Sequence, residues 1–182
     1  MKTAAANSPV LETLFSEQQI AQRIEEMAKE ISTRDLRQLL VVPILKGSFI
    51  FAADLLRALH RCGLTLEVDF MMLASYRAAT VSSGQVEVLR DIQTNVKGRD
   101  VLLLDDILES GRTLAYAKDL LAARGARNVL VAAFLDKPNH RAVDIDADFR
   151  GFDCPDHFVV GYGMDMGHAY RELPYVGRVV RA

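Results

Sequence analysis

The sequence predicts an α/β protein in which helices flank a mostly parallel central sheet. Three short and almost unbroken apolar runs, at residues 39–45, 101–104 and 128–135, have the composition of strands that are buried on both faces. Segments in which apolar residues recur at helical spacing lie between these runs. Because parallel strands need crossover connections, which are usually helices, this alternation of strands and helices predicts a parallel sheet.

The first helix is predicted to begin at Ser16, after a loose arm at residues 1–14. Ser16 and Gln19 have the spacing of a capping box, in which each side chain bonds to the backbone N–H of the other residue. Ile20 and Ile24 begin a row of apolar residues at helical spacing. We therefore expect an amphipathic helix with one buried face.

The remaining elements follow from the same patterns. Ser48 can cap a helix that runs to about His60, and Gly125 is a natural end for the helix that starts near Leu114. Pro43 removes a ladder donor from the first apolar run, which favours a sheet edge or a strand end. Further strands are predicted at residues 64–74, 86–92 and 158–162, with a mobile loop at 75–85.

Composition limits the function classes. The chain has 182 residues, 50% hydrophobic and 25% charged, so a single domain can bury a core without disulfides. The net charge of -2 gives no basic excess for nucleic acid, and no run approaches the ~20 apolar residues that span a bilayer. The first residues lack the apolar stretch of a secretory signal. We therefore expect a cytoplasmic protein that binds neither nucleic acid nor membranes.

The cysteines and histidines do not form a recognisable metal motif. Cys62 and Cys154 are expected as free thiols, and the alternative is one disulfide between them. The histidines show no metal-ligand spacing, and none is assigned to catalysis: His60, His140, His157 and His168.

The segment 101–114 carries the clearest chemistry. Asp105 and Asp106 follow an apolar strand, where adjacent acids suit sugar hydroxyls or a metal-bound sugar better than a core. Ser110, Gly111 and Thr113 come just before a helix, whose N-terminal N–H groups and dipole favour a phosphate. The chain has no Walker A string and no correctly spaced dinucleotide-binding glycines. This pattern predicts a site for a phosphorylated ribose.

The string VLLLDDILESGRTL resembles the phosphoribosyl-pyrophosphate motif of type I phosphoribosyltransferases. Two other strand ends resemble the hypoxanthine-guanine members of that family. Lys46 and Gly47 match their pyrophosphate loop, in which the corresponding Lys46–Gly47 peptide is often cis. Ser75 and Tyr76 match the start of the lid that closes over the bound sugar.

The resemblance extends to the segment that would bind the base. It implies that Lys137 donates to the exocyclic oxygen of a 6-oxopurine, and that Phe158 stacks on the purine ring. Val159 would offer backbone hydrogen bonds to the edge of the purine. Asp165 would lie at the purine site and coordinate a magnesium ion, and Arg171 would hold pyrophosphate.

The resemblance implies a Mg²⁺-dependent transfer in which a purine displaces pyrophosphate from phosphoribosyl pyrophosphate, giving IMP or GMP. Asp105 and Asp106 would hold the ribose, directly or through the metal, for which Asp165 is the third candidate ligand. The ribose 5′-phosphate would be bound by a loop of five residues: Glu109, Ser110, Gly111, Arg112 and Thr113. Glu109 would be the general base, although the family usually has aspartate there.

Two other functions remain open. One is a regulator on the same scaffold that binds pyrimidine-operon RNA and has uracil phosphoribosyltransferase activity, because such proteins share the D-D-x-x-x-x-G-R-T string. The other is an enzyme for xanthine, adenine or uracil. The resemblance further implies one domain, with a core at about 36–150 and a small hood from about 1–35 and 150–182. It also implies a homodimer or homotetramer.

Overall fold

Within residues 9–75 and 86–181, which the computed structural model describes, the strands form two separate sheets. In chain order the strands are β1 (Val10–Phe15), β2 (Leu40–Leu45), β3 (Glu67–Val68), β4 (Met71–Ser75), β5 (Val86–Arg90), β6 (Asp100–Leu108), β7 (Asn128–Asp136), β8 (Phe149–Asp153), β9 (Val159–Val160) and β10 (Val176–Arg181). The helices are α1 (Glu17–Ser32), α2 (Phe49–Arg61) and α3 (Arg112–Ala123), and a short 3₁₀ turn covers Pro138–His140.

The larger sheet has the strand order β5-β4-β2-β6-β7-β8, and the short strand β3 also pairs with β2. Its neighbouring strands run parallel, except that β5 is antiparallel to β4. The predicted mostly parallel sheet flanked by helices is therefore confirmed. Because parallel strands end at the same edge, the carboxyl ends of β2, β6 and β7 lie side by side, where a ligand can bind.

The two faces of β6 are buried under different helices. Leu102 and Leu104 belong to a core formed with α1 and α2, whereas Leu103 packs in a second core with α3. This division follows from the alternation of side chains along a strand. Since both faces are covered, the run is apolar at every position instead of at every second one.

The smaller sheet is antiparallel, has the order β1-β10-β9 and joins the two ends of the described chain. Thr13 pairs with Gly177, which also pairs with Val160. Two predictions are wrong here. Residues 10–15 form a strand instead of part of a loose arm, and the strand predicted at 158–162 shortens to β9 and leaves the parallel sheet. Both depend on pairing with β10, far away in sequence, which no local pattern reveals.

Of the three residues predicted to cap or end a helix, two are confirmed. Ser16 and Gln19 form the capping box, and the Gln19 N–H donates to Ser16 Oγ at 3.3 Å. Gly125 follows α3 in the left-handed conformation that ends many helices. Ser48, however, does not cap α2 with its side chain, because its hydroxyl donates back to the Ile44 carbonyl at 2.6 Å.

Other boundaries differ from the predicted ones. The strand predicted at 64–74 is two strands, because β3 pairs with the start of β2 and β4 with its end. Pro43 lies inside the central strand β2, in register with Leu104, and not at an edge. Both cysteines are free thiols, as predicted. In the part of the chain that the structure describes, the helices are too short or too polar to cross a membrane.

Candidate active site

A cavity of about 230 Å³ opens at the carboxyl ends of β2 and β6. It brings together two segments that lie about 60 positions apart in the sequence, the turn after β2 and the end of β6 with the loop that follows it. The residues that line it are Ile44, Leu45, Lys46, Gly47, Leu73, Asp105, Asp106, Ile107, Leu108, Glu109, Ser110, Gly111, Thr113 and Leu114. Most of the predicted sugar-phosphate residues are therefore in one place, although Arg112 is not in the lining.

The loop after β6 presents a helix N-terminus to this cavity. Gly111 is the residue before α3 and has a φ of 80°, which favours glycine. An added Cβ there would also lie 2.5 Å from Ile145 Cγ2, so glycine is needed for packing as well. The first N–H groups of a helix have no partner within the helix, and Gly111 gives α3 no side-chain cap, although the Arg112 N–H donates to Ser110 Oγ at 3.4 Å. This end of the cavity therefore suits a phosphate.

The paired acids lie inside β6 and not beyond its end, which corrects the prediction. The strand continues to Leu108 because β7 pairs with it along that length, with Asp105 opposite Ala133. Burial raises the pKa of Asp105 well above its ordinary value, and the charge of Asp106 raises it further. Burial also raises the pKa of Asp106, whereas its contacts with Asp105 and the charge of Arg171 act in the opposite direction.

These two carboxylates fit a divalent cation. Burial disfavours the ionised form of both carboxyls, and the charge of Asp106 further disfavours the ionisation of Asp105. A hard cation such as Mg²⁺ prefers carboxylate oxygens and would balance both charges. The hydroxyls of a ribose diol could donate hydrogen bonds to the same oxygens, so the pair suits a sugar with or without a metal.

A second group of residues meets Asp106 from the other side of the cavity. An added Cβ at Gly47 would lie 1.9 Å from Asp106 Oδ2, and one at Gly163 would lie 2.1 Å from the Gly47 carbonyl oxygen. Arg171 Nη1 donates to the Gly163 carbonyl at 2.6 Å, and Arg171 Nη2 lies 2.7 Å from Asp165 Oδ1. Through these contacts, two predicted site residues lie near Asp106. They are Arg171, predicted to bind pyrophosphate, and Asp165, predicted to bind the metal.

The turn after β2 contains the cis peptide, but one position earlier than expected. The cis bond joins Leu45 and Lys46, and not Lys46 and Gly47. Both Lys46 and Gly47 line the cavity. The predicted pyrophosphate loop thus lies opposite the loop after β6.

Lys137, which the sequence predicted as a base-binding residue, lies next to the cavity. Lys137 is buried, and its Nζ donates to the His157 carbonyl at 2.7 Å. The same Nζ lies 4.0 Å from Glu109 Oε1, which faces the cavity. Phe158 is 57% exposed, and the next residue, Val159, is buried in β9. The exposed ring of Phe158 therefore gives a surface on which a flat polar ring can stack, and the Lys137 ammonium is fixed nearby by its bond to His157.

Arg141 is a residue of this region that the sequence did not single out. Its Nη1 donates to the carbonyl oxygens of Leu108 at 3.0 Å and Glu109 at 2.9 Å. Its Nη2 pairs with the buried Asp136 at 2.5 Å. Arg141 therefore fixes the backbone of the loop after β6. The available signal was Asp136, an acid at the end of an apolar strand that needs a cation when buried.

Of the two predicted lid residues, Ser75 and Tyr76, the structure describes only Ser75. The backbone of Ser75 ends β4 and pairs with Val86. Tyr76 lies outside the described residues. The lid therefore remains a prediction.

Comparisons with known proteins agree with this geometry. A family model described as a phosphoribosyl transferase domain matches residues 10–166. The hypoxanthine-guanine phosphoribosyltransferase of Bacillus subtilis strain 168 is 43% identical over 165 residues, which cover 90% of each chain. A solved structure of a hypoxanthine-guanine phosphoribosyltransferase from Bacillus anthracis has a TM-score of 0.87 and 37% identity, and the match covers 95% of this chain and 100% of that one.

Some relatives are much longer. The bifunctional protein TilS/HprT of Listeria monocytogenes serotype 4b is 45% identical over 172 residues, which are 94% of this chain. The matched region is only 26% of that relative's own length. The similarity therefore concerns one part of the bifunctional protein.

Proposed function

Because the chain belongs to the phosphoribosyltransferase family, and within it to the hypoxanthine-guanine phosphoribosyltransferases, we propose that it is a purine-salvage transferase. A nitrogen of hypoxanthine or guanine forms a bond to the anomeric carbon of phosphoribosyl pyrophosphate, and the bond from that carbon to pyrophosphate breaks. The products are IMP or GMP and pyrophosphate. The observation that carries this proposal is the cavity between the 46–47 turn and the loop after β6, with Lys137 beside it.

The cavity supports one orientation of the sugar substrate. The N-terminus of α3, with Ser110 and Thr113, binds the 5′-phosphate and so orients the reacting carbon. Asp105 and Asp106 hold the ribose hydroxyls. On the opposite side, Lys46 binds the pyrophosphate and offsets the charge that develops as it leaves.

We propose Mg²⁺ as the cofactor, which Asp105 and Asp106 would hold; Asp165, beside Arg171, is a further candidate ligand. When bound, it neutralises charge on the pyrophosphate oxygens. Arg171 already lies close enough to affect the ionisation of Asp106. Its guanidinium therefore adds positive charge on the pyrophosphate side of the site.

The base side supports a 6-oxopurine. The Lys137 ammonium has a carbonyl partner in His157 and keeps further donor capacity for an exocyclic oxygen. Phe158 stacks on the purine ring, and the backbone of Val159 bonds to its edge. Glu109 accepts the proton that the purine imidazole ring loses as the new bond forms. Adenine lacks the 6-oxo acceptor and is therefore a poor substrate.

Three further parts of the proposal extend beyond the described geometry. The segment that starts at Ser75 and Tyr76 excludes water from the reacting carbon. The enzyme works in the cytoplasm, which the two free thiols support. It assembles as a homodimer or homotetramer, which sedimentation analysis would test.

The direct test incubates the protein with Mg²⁺, phosphoribosyl pyrophosphate and one base at a time, and follows nucleotide formation. We expect IMP from hypoxanthine or GMP from guanine, and little product from adenine. No product with any base would refute the enzyme. Product from uracil alone, with RNA binding that weakens steeply as salt rises, would favour the regulator instead.

Two variants test the base side. Lys137→Met keeps the length of the side chain but loses the donor, so we expect KM for hypoxanthine to rise about tenfold or more. The matched control is Lys29→Met on the exposed face of α1. Glu109→Gln keeps the shape but cannot accept a proton, so kcat should fall about 10²-fold or more. Turnover like that of the wild type would remove Glu109 as the base.

A further inference from the structure

Glu109 lies beside a pair of side chains from two other segments. His140 ends the 3₁₀ turn after β7, and Asp156 precedes β9. His140 Nε2 lies 2.8 Å from Asp156 Oδ2. One ring nitrogen of His140 and one carboxylate oxygen each from Glu109 and Asp156 lie within 4.8 Å of one another. Three segments thus converge at the residue that would act as the general base.

The position of this pair suggests more than a surface ion pair. The side chains of His140 and Asp156 are 50% and 55% exposed, and exposed pairs contribute only about 0–1 kcal/mol to stability. The neighbouring residue, Arg141, bonds to the Glu109 carbonyl oxygen at 2.9 Å. Two consecutive residues therefore approach Glu109, one at its backbone and one at its carboxylate.

Glutamate needs such support more than aspartate does. It has one extra methylene and one extra rotatable bond, so its carboxylate has more positions available and loses more entropy when it is fixed. Misplacement by about 1 Å can cost about 10²-fold in rate. Lys137 approaches the same carboxylate, but at 4.0 Å and while donating to the His157 carbonyl. His140 is a further polar group close to this carboxylate.

We propose that His140, oriented by Asp156, is a positioning residue that holds the Glu109 carboxylate toward the purine. The Glu109 carboxylate, which now lies within 4.8 Å of a His140 ring nitrogen, would rotate into hydrogen-bond contact with the imidazole. His140 does not take the proton in this scheme. The proton passes from the purine imidazole nitrogen to Glu109 as the bond to the anomeric carbon forms and pyrophosphate leaves. The inference rests on the proposed function, since it assigns a partner to the proposed base.

The test is a double-mutant cycle in the IMP-forming assay. His140→Ala should lower kcat about tenfold and leave KM for phosphoribosyl pyrophosphate unchanged, because the sugar-phosphate cavity does not contain His140. His140→Gln, which keeps an N–H donor, should recover part of kcat. In a Glu109→Asp protein, whose shorter carboxylate does not reach His140, adding His140→Ala should change kcat less than about twofold.

The control is His60→Ala, at an exposed histidine of α2, which should keep wild-type kcat. Thermal unfolding of each variant checks that it is folded. An unchanged kcat in His140→Ala, or an equal loss in the Glu109 and Glu109→Asp backgrounds, would overturn the positioning role alone. A wild-type protein that is inactive with every base would instead overturn the proposed function itself.

Discussion

Replacing Gly47 by alanine would test the contact that joins the two sides of the cavity. An added Cβ would lie 1.9 Å from Oδ2 and 2.4 Å from Cγ of Asp106, whereas ordinary contact begins at 3.4 Å. The carboxylate or the turn must therefore move by about 1.5 Å. Gly47 is not among the residues with positive φ, so alanine introduces no backbone strain there. Since a 1 Å misplacement can cost about 10²-fold, we expect kcat/KM for phosphoribosyl pyrophosphate to fall about 10²-fold.

The matched control is Gly177→Ala in β10, where the added Cβ first meets the ring edge of Tyr175 at 3.3 Å. Steady-state rates with hypoxanthine and thermal unfolding would be measured for both proteins. Gly47→Ala should also lower the unfolding temperature, and it should do so much less when Asp106 is already alanine, because the clash is then absent. A Gly47→Ala enzyme with kcat/KM within about threefold of the wild type would refute the reasoning.

Two further variants test the supports of the site. Arg141→Ala should lower kcat and reduce the free energy of unfolding by about 3 kcal/mol, because the buried Asp136 loses its nearest cation. Urea unfolding would measure this loss. The control is the surface variant Arg61→Ala, which should cost under about 1 kcal/mol. Equal costs would contradict this role. Burial alone would raise the pKa of Asp100, but hydrogen bonds, the strongest from Arg127, lower it. Asp100→Asn should therefore cost about 2 kcal/mol at pH 7, and the cost should shrink only below pH ~4, as the wild-type carboxyl becomes protonated. A cost that is the same at pH 3 and pH 7 would contradict this.

The parts of the fold that follow from local chemistry could be predicted. The apolar runs of β2, β6 and β7 are readable because both faces of these strands are covered, so every position must be apolar. The start of α1 is readable because Ser16 and Gln19 satisfy each other within one turn. The loop at 109–113 is readable because a helix N-terminus after a strand favours a phosphate whatever the rest of the chain does.

The parts that depend on distant partners could not be predicted. β1 is half exposed and has no strong pattern of its own, because it is stabilised by pairing with β10 at the other end of the chain. The need for glycine at position 47 arises from the carboxylate of Asp106, about 60 positions away. Arg141 looks like any surface arginine until its contacts with the loop after β6 are known. In each case the cause is a contact that forms only on folding.

The short segment 136–141 links the two halves of the site. The Lys137 N–H donates to the Leu108 carbonyl at 2.9 Å, while the Lys137 side chain donates to the His157 carbonyl at 2.7 Å, on the proposed base side. Arg141 holds the end of β6 and the start of the following loop through the carbonyls of Leu108 and Glu109. A shift of this segment would therefore move the phosphate loop and the base site together. The proposed sugar-phosphate and purine sites are consequently coupled through this segment, so a variant that loosens it should weaken the binding of both substrates.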